Sequence, residues 1–279
     1  MDKSIEHLPP LRETIGQFGL RAEKSLGQNF LLDLNITRKI ARYAAPLDNG
    51  TIVEIGPGPG GLTRALFLEG AKHVVAIEKD YRCIEALQQI AAHTDAKLDI
   101  RNEDALEVKI ADIGPAPIKI IANLPYNIAT PLLLEWLHEI YAVPGKISDM
   151  ILMFQREVAD RIIAVPRTKD YGRLSVISQW LCHVKPLFTL PPQAFTPAPK
   201  VESTVVQITP RAAPLFPGQI KDLERLTAAM FGQRRKMLRV SLKQIWPDAE
   251  AKLIAAGLNP TARAEELNIE DFGKLVSLL

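Results

Sequence analysis

Thr51-Ile52-Val53-Glu54-Ile55-Gly56-Pro57-Gly58-Pro59-Gly60-Gly61 is the stretch from which the fold is read. A run rich in β-branched residues breaks into glycines and prolines, and a helical pattern follows over 62–69. Strand, glycine turn and helix in that order open a βαβ unit. Outward from it the alternation continues. Strands are predicted at 74–77, 97–100, 118–122 and 149–154, and helices over 81–93, 131–141 and 155–164. A further helix over 33–45 precedes the run, with Asp33 as its N-cap. Strands separated by helices predict a parallel α/β sheet with helices on both faces. After residue 185 prolines cluster, 201–208 alternates as a strand, and 209–219 carries three prolines and a glycine. Residues 220–246, 248–256 and 268–278 are helical in pattern, with no strand among them. The predicted organisation is a sheet domain over 1–208, a linker over 209–219 and a small all-helical C-terminal domain over 220–279.

Composition sets outer limits. Of 279 residues, 47% are hydrophobic and 24% charged, which excludes a disordered or collagen-like chain. Cys83 and Cys182 form neither a disulfide framework nor a zinc spacing. His7, His73, His93, His138 and His183 show no ligand spacing, so no metal is expected. No apolar run approaches the roughly 18 residues that span a bilayer. The start, Met1-Asp2-Lys3-Ser4-Ile5-Glu6, lacks the apolar core of a secretory signal. The reading is a cytoplasmic protein with no membrane partner.

The glycine turn matches G-x-G-x-x-G through Gly56, Gly58 and Gly61, and Glu78 follows the second strand. A carboxylate there accepts from ribose hydroxyls. These features suit NAD and S-adenosylmethionine alike. Glu54 favours the second, because an acid before the glycines repels a pyrophosphate but tolerates a sulfonium and an ammonium. Asp104, after the third strand, is placed to accept from an adenine amine, although alone it reads as a turn or cap residue. The fold expected is therefore a Rossmann-like, S-adenosylmethionine-dependent methyltransferase sheet.

The fourth strand ends in Asn123-Leu124-Pro125-Tyr126-Asn127. The lone pair of an aromatic amine is delocalised into its ring, so methylating it needs the amine's hydrogens held. The Asn123 side-chain carbonyl and the Leu124 backbone carbonyl are candidate acceptors. Pro125 stiffens the turn, and Tyr126 offers a face to a flipped-out base. Positioning, not a strong base, would carry such a reaction. The competing reading makes Asn123 a cap and Tyr126 a core residue.

Ser25-Leu26-Gly27-Gln28-Asn29-Phe30-Leu31, Val53 to Gly58, Asn123 to Asn127, Phe195-Thr196-Pro197-Ala198-Pro199-Lys200-Val201 and Phe231-Gly232-Gln233-Arg234-Arg235-Lys236-Met237-Leu238 together resemble the rRNA adenine N6-dimethyltransferases. The resemblance spans roughly residues 20–245. It is closest to the KsgA/RsmA branch, which acts on small-subunit rRNA; the Erm branch, acting on large-subunit rRNA, is the near relative. It implies S-adenosylmethionine as donor, held by Gln28, Asn29, Leu31, Gly56, Gly58, Glu78, Lys79, Asp104, Ala105 and Asn123. A segment over about 20–45 would cover the donor. Asn123, Leu124, Pro125 and Tyr126 would form the catalytic motif, and Phe195 would face Tyr126 across the target base. A core position after a proline-rich turn suits Phe195 equally well.

Net charge is only +2, yet it is a cancellation. Residues 182–247 hold 10 Lys+Arg against 3 Asp+Glu, a balance of +7, while 47–114 hold 7 against 12, a balance of −5. Arg234, Arg235, Lys236, Arg239 and Lys243 form the basic centre, with 235, 239 and 243 expected on one helix face. With Lys200 they are the expected phosphate contacts. The partner implied is small-subunit rRNA within a pre-ribosomal 30S particle, bound by a monomer. Alternatives are an Erm-like large-subunit methyltransferase, a ribosome-assembly factor whose main role is binding, and an NAD-linked enzyme.

Overall fold

The computed structural model describes residues 4–23 and 26–279. Ser25, which opens one family-like motif, and Met1, Asp2 and Lys3 of the N-terminal reading lie outside the described residues. The main sheet contains β2 (Thr51–Ile55), β3 (His73–Ile77), β4 (Lys97–Arg101), β5 (Ile118–Asn123), β6 (Ile147–Gln155), β7 (Cys182–Leu190) and β9 (Ser203–Pro210). Their order is β4-β3-β2-β5-β6-β9-β7. Pairing is parallel from β4 through to β6, and β9 runs antiparallel to β6. A second, two-stranded sheet joins β1 (Phe30–Leu31) to β8 (Phe195–Thr196).

The connections explain where a ligand belongs. From β2 the chain steps outward to β3 and β4, then returns to the other side of β2 as β5. The carboxyl ends of β2 and β5 therefore flank a point where strand order reverses, the place where open α/β sheets bind ligands. Helix α1 (Leu11–Gln17) precedes β1 in the chain and α6 (Arg156–Ile163) follows β6, while α2 (Leu34–Tyr43), α3 (Gly61–Leu68) and α4 (Ile84–Ala92) share one apolar cluster with Ile52, Val74, Ile121 and Ile151. The alternate residues Val53, Val75 and Ile120 are also fully buried, as period-two strands with both faces covered require. Helix α5 (Ala129–Ala142) buries Leu133, Trp136 and Leu137 outside that cluster. Asp33 caps α2 as expected, accepting from Asn35 N–H at 2.8 Å.

Two compact units emerge, Met1–Ala159 with Lys185–Pro210, and Asp160–Val184 with Arg211–Leu279. The helical unit thus includes 160–184, which the sequence pattern assigned to the sheet domain, and the expected linker over 209–219 divides between the units. Within the helical unit, α7 (Arg173–Leu181) presents Trp180, which stacks on Phe216 at 5.4 Å and donates to its carbonyl at 2.8 Å. Tyr171 and Phe272 both pack on Phe231 of α8 (Ile220–Gly232). These long-range aromatic contacts have no periodic signature in the sequence.

The single helix expected over 220–246 is broken. Helix α8 stops at Gly232, Gln233 to Lys236 form a turn, and α9 resumes only over Leu238–Ser241. Met237 pairs with Arg263 in an antiparallel bridge, and Leu238 and Arg239 donate to the carbonyls of Ala262 and Pro260. Tertiary backbone bonds replace the helical ones, so Arg235, Arg239 and Lys243 do not share a helix face.

The glycine turn illustrates how closely the fold is specified. Gly60 has φ +87°, and a Cβ there would run into Ile90 Cδ1. Gly60→Ala is expected to lower stability by at least about 2 kcal/mol, combining a left-handed backbone with an overpacked core. Urea unfolding checks this; a loss below about 0.5 kcal/mol would contradict it.

Candidate active site

A cleft opens at the carboxyl ends of β2 to β5. All ten residues expected to hold a cofactor, from Gln28 to Asn123, line it, as do Leu124 and Pro125. The fold thus brings together segments separated by about a hundred residues. Sequence reading missed Phe30, Thr37 and Leu106, which also line the cleft. Nothing local marks them except the apolar run Phe30-Leu31, whose Phe30 ring fills the space beside Gly58.

Glu54, Glu78 and Asp104, three of the four carboxyl residues that line the cleft with Glu103, are in different states. Glu54 is 1% exposed and accepts from the Thr63 hydroxyl at 2.6 Å. Burial raises its pKa to about 8, so it is neutral at pH 7. Glu78, also buried, accepts from the N–H groups of Gly58 at 2.8 Å and Asp80 at 2.7 Å. It ties the glycine turn to the end of β3, and burial raises its pKa against those hydrogen bonds. Asp104 takes the opposite direction: its bond to Lys79 at 2.6 Å holds its carboxyl below the usual range. It also accepts from Leu106 N–H at 3.1 Å, so the cap reading and the cleft reading are both true of it.

Asn123 is held from the opposite wall. Its Nδ2 donates to the Asn29 backbone carbonyl at 2.9 Å. With the nitrogen end committed, Oδ1 remains as the acceptor end of the amide. Asn29 is itself braced, its side chain donating to the Gly27 carbonyl at 3.3 Å.

The two aromatic residues differ. Tyr126 is half-buried, and its hydroxyl shares a 2.6 Å bond with Ser203 Oγ. Phe195 is only 3% exposed and belongs to the main core cluster, opposite Leu31 in the β1–β8 pairing. A face-to-face pair of open rings is therefore not what the structure displays; the core position equally suited to Phe195 is the one it occupies.

The basic residues also divide. Arg234 pairs with Glu265 at 2.7 Å and donates to the Thr168 carbonyl at 3.1 Å, and Arg239 pairs with Glu250 at 3.1 Å. Arg235, Lys236 and Lys243 are exposed and make no ion pair among the described residues. Lys200, in the sheet unit, is exposed. Among the described residues, no His/Cys/Asp/Glu group could hold a metal ion, and no helix is long and apolar enough to cross a membrane.

A model of the ribosomal RNA adenine dimethylase family matches residues 19–279. A Ribosomal RNA small subunit methyltransferase A from Rhodospirillum rubrum is 58% identical over 268 residues, covering 96% of this chain and 91% of that protein. One from Cereibacter sphaeroides is 54% identical, covering 99% of each. Among solved structures, a dimethyladenosine transferase from Plasmodium falciparum aligns with TM-score 0.74 at 23% identity, covering 88% of this chain and 95% of that one. The 23S rRNA methyltransferase ErmE aligns with TM-score 0.65 at 28% identity, covering 89% and 98%.

The buried Glu54 makes a pH prediction for the ligand-free protein. Its pKa is about 8 folded and near 4.5 unfolded, so its favourable contribution is complete below 4.5 and is lost as pH rises through 8. Between those values wild type should lose up to about 1.4 kcal/mol per pH unit relative to Glu54→Gln. Denaturant unfolding of both proteins from pH 5 to 8 measures this; parallel stability curves would contradict it.

Proposed function

The chain belongs to the ribosomal RNA adenine dimethylase family, and from that premise we propose that it dimethylates N6 of two adjacent adenosines near the 3′ end of small-subunit rRNA. The observation that carries the reading is the Asn123 amide, whose nitrogen is committed to the Asn29 carbonyl and whose oxygen is left to accept. Small-subunit RNA is favoured over large-subunit RNA because relatives named for the former are 52–58% identical, against 28% for the large-subunit enzyme.

The donor would be S-adenosylmethionine, which supplies an electrophilic methyl group on a cationic sulfonium. The cleft's chemistry fits it. Glu54 would ionise beside a cation, and Glu78 and Asp104 offer acceptors to ribose and adenine donors. We assign Glu78 to the ribose hydroxyls and Asp104 to the adenine amine. Gln28, Asn29, Leu31, Gly56, Gly58, Lys79 and Ala105 shape the surrounding surface.

For the acceptor, Asn123 Oδ1 and the Leu124 carbonyl would take the two N6 hydrogens. That holds the nitrogen so that its lone pair faces the cleft, and alignment supplies most of the rate. Each transfer would break the methyl–sulfur bond, leaving the donor as its neutral thioether, and N6 would release one proton to solvent; the one N–H left after the first transfer is held by one of the same acceptors for the second. Pro125 fixes the turn, and the Tyr126 ring supports the flipped base. Phe195, being buried, is assigned instead to joining β8 to β1. Phosphate contacts fall to Lys200 on the sheet unit and to Arg235, Lys236 and Lys243 on the helical unit, while Arg234 and Arg239 serve as internal clamps. RNA shape and splayed bases supply selectivity. The substrate is read as RNA within a small-subunit particle, met in the cytoplasm by a monomer.

Incubation with labelled S-adenosylmethionine and undermethylated small subunits, followed by mass-spectrometric mapping, should give dimethyladenosine at paired 3′ positions. Dimethylation confined to large-subunit RNA would overturn the assignment. Replacing Arg235, Lys236 and Lys243 with Gln should lower the salt slope of RNA binding by about 2, at roughly 0.7–0.9 per lost phosphate contact. An unchanged slope would remove those residues from the interface.

A further inference from the structure

Asp80 is a carboxylate that the proposed chemistry leaves unused. It is 5% exposed and does not line the cleft, yet it lies two residues beyond Glu78. Its Oδ1 accepts from Arg82 Nε at 2.8 Å and Arg82 N–H at 3.1 Å, and its Oδ2 accepts from Arg82 Nη2 at 2.5 Å and from Gln28 Nε2 at 3.0 Å. Arg82 beside it holds the carboxyl below its usual range, so it is an anion at neutral pH.

The contacts continue in one direction. Gln28 Oε1 accepts from Glu23 N–H at 2.9 Å, and Arg82 Nη1 pairs with the Glu23 carboxylate at 2.9 Å. Both groups that Asp80 holds therefore grip the same segment, at Glu23 and at Gln28. The residue after Gln28 is Asn29, whose carbonyl fixes the Asn123 amide at 2.9 Å. On its other side, the Asp80 N–H donates to Glu78 Oε1 at 2.7 Å.

Gln28 and Asn29 lie outside helix and strand, so no ladder sets the direction of the Asn29 carbonyl and an anchor must. We propose that Asp80 is a positioning residue for methyl transfer, acting through Gln28 and the Asn29 carbonyl on the orientation of the Asn123 amide. This rests on the reading of Asn123 as the group that holds the target amine. Asp80 anchors the segment near its end, and rotation of Asn29 by a small angle would release the Asn123 nitrogen. The amide would then be free to present either end to the substrate.

The test uses the full-length chain, S-adenosylmethionine and undermethylated small subunits, with kcat and KM for the RNA measured separately. Asp80→Asn keeps the side-chain shape but turns an acceptor of the Gln28 bond into a donor facing a donor. It should lower kcat by about 10–100-fold with KM within twofold. Gln28→Met, which removes that bond together with the one from Glu23 N–H, should show the same split with S-adenosylmethionine saturating. Combining Asp80→Asn with Gln28→Glu rebuilds the bond with donor and acceptor exchanged, and should recover kcat to within about fivefold of wild type. A merely structural role gives no such recovery. Single variants with wild-type kcat, or a combined variant no better than Asp80→Asn, would overturn the proposal. A wild-type chain that methylates no rRNA would instead defeat the functional reading, and this proposal with it.

Discussion

The hydrogen bond from Asn123 Nδ2 to the Asn29 carbonyl is the constraint on which the rest of the site depends. A side-chain amide carries a donor and an acceptor on one rotating plane, and without a fixed partner it presents both. One backbone carbonyl resolves the choice. It can do so only because β5 ends at Asn123 and the segment leading into β1 passes directly over that end. The return of β5 beside β2 places Asn123 at the reversal of strand order. The pairing of β1 with β8, closed by the buried Phe195, keeps the covering segment down.

Electrostatics of the cleft follow from the same geometry. Three carboxyls on its wall are committed to different kinds of partner: Glu54 to a hydroxyl, Glu78 to two backbone N–H groups and Asp104 to a lysine. Burial makes the first neutral at pH 7 when no cation is present, whereas the ion pair keeps the third charged. The cleft is therefore acidic in composition without being a uniform cluster of anions. That suits a ligand with separate cationic, hydroxyl and amine ends.

Much of this was legible in the sequence, for physical reasons. The strands β2 to β6 and β9 are rich in β-branched and other apolar residues and bounded by helices or turns, so pattern located them; β7, which contains Pro186, and the two-residue β1 and β8 carry no such pattern. Asp33 declared a helix start, and the glycine turn declared the ligand end of β2. The losses have a common cause. Nothing in Gln233-Arg234-Arg235-Lys236 disfavours a helix; the break comes from backbone bonds to residues 260–263. The allegiance of 160–184 to the helical unit rests on Trp180 meeting Phe216 and Tyr171 meeting Phe231, contacts between residues dozens of positions apart. Phe195 carried two compatible readings, and only burial separated them. Gln28 was expected at the cofactor, but its link to Asp80 belongs to tertiary structure alone.

The central claim is that Asn123 must donate to Asn29 in order to accept from the substrate. Asn123→Asp tests it directly, because aspartate keeps two acceptor oxygens and loses only the donor. The account predicts that methyl transfer falls as far as in Asn123→Ala, since a carboxylate is repelled by the Asn29 carbonyl and cannot be oriented by it. Near wild-type transfer by Asn123→Asp would show that an acceptor alone suffices, and would contradict the role given to that hydrogen bond.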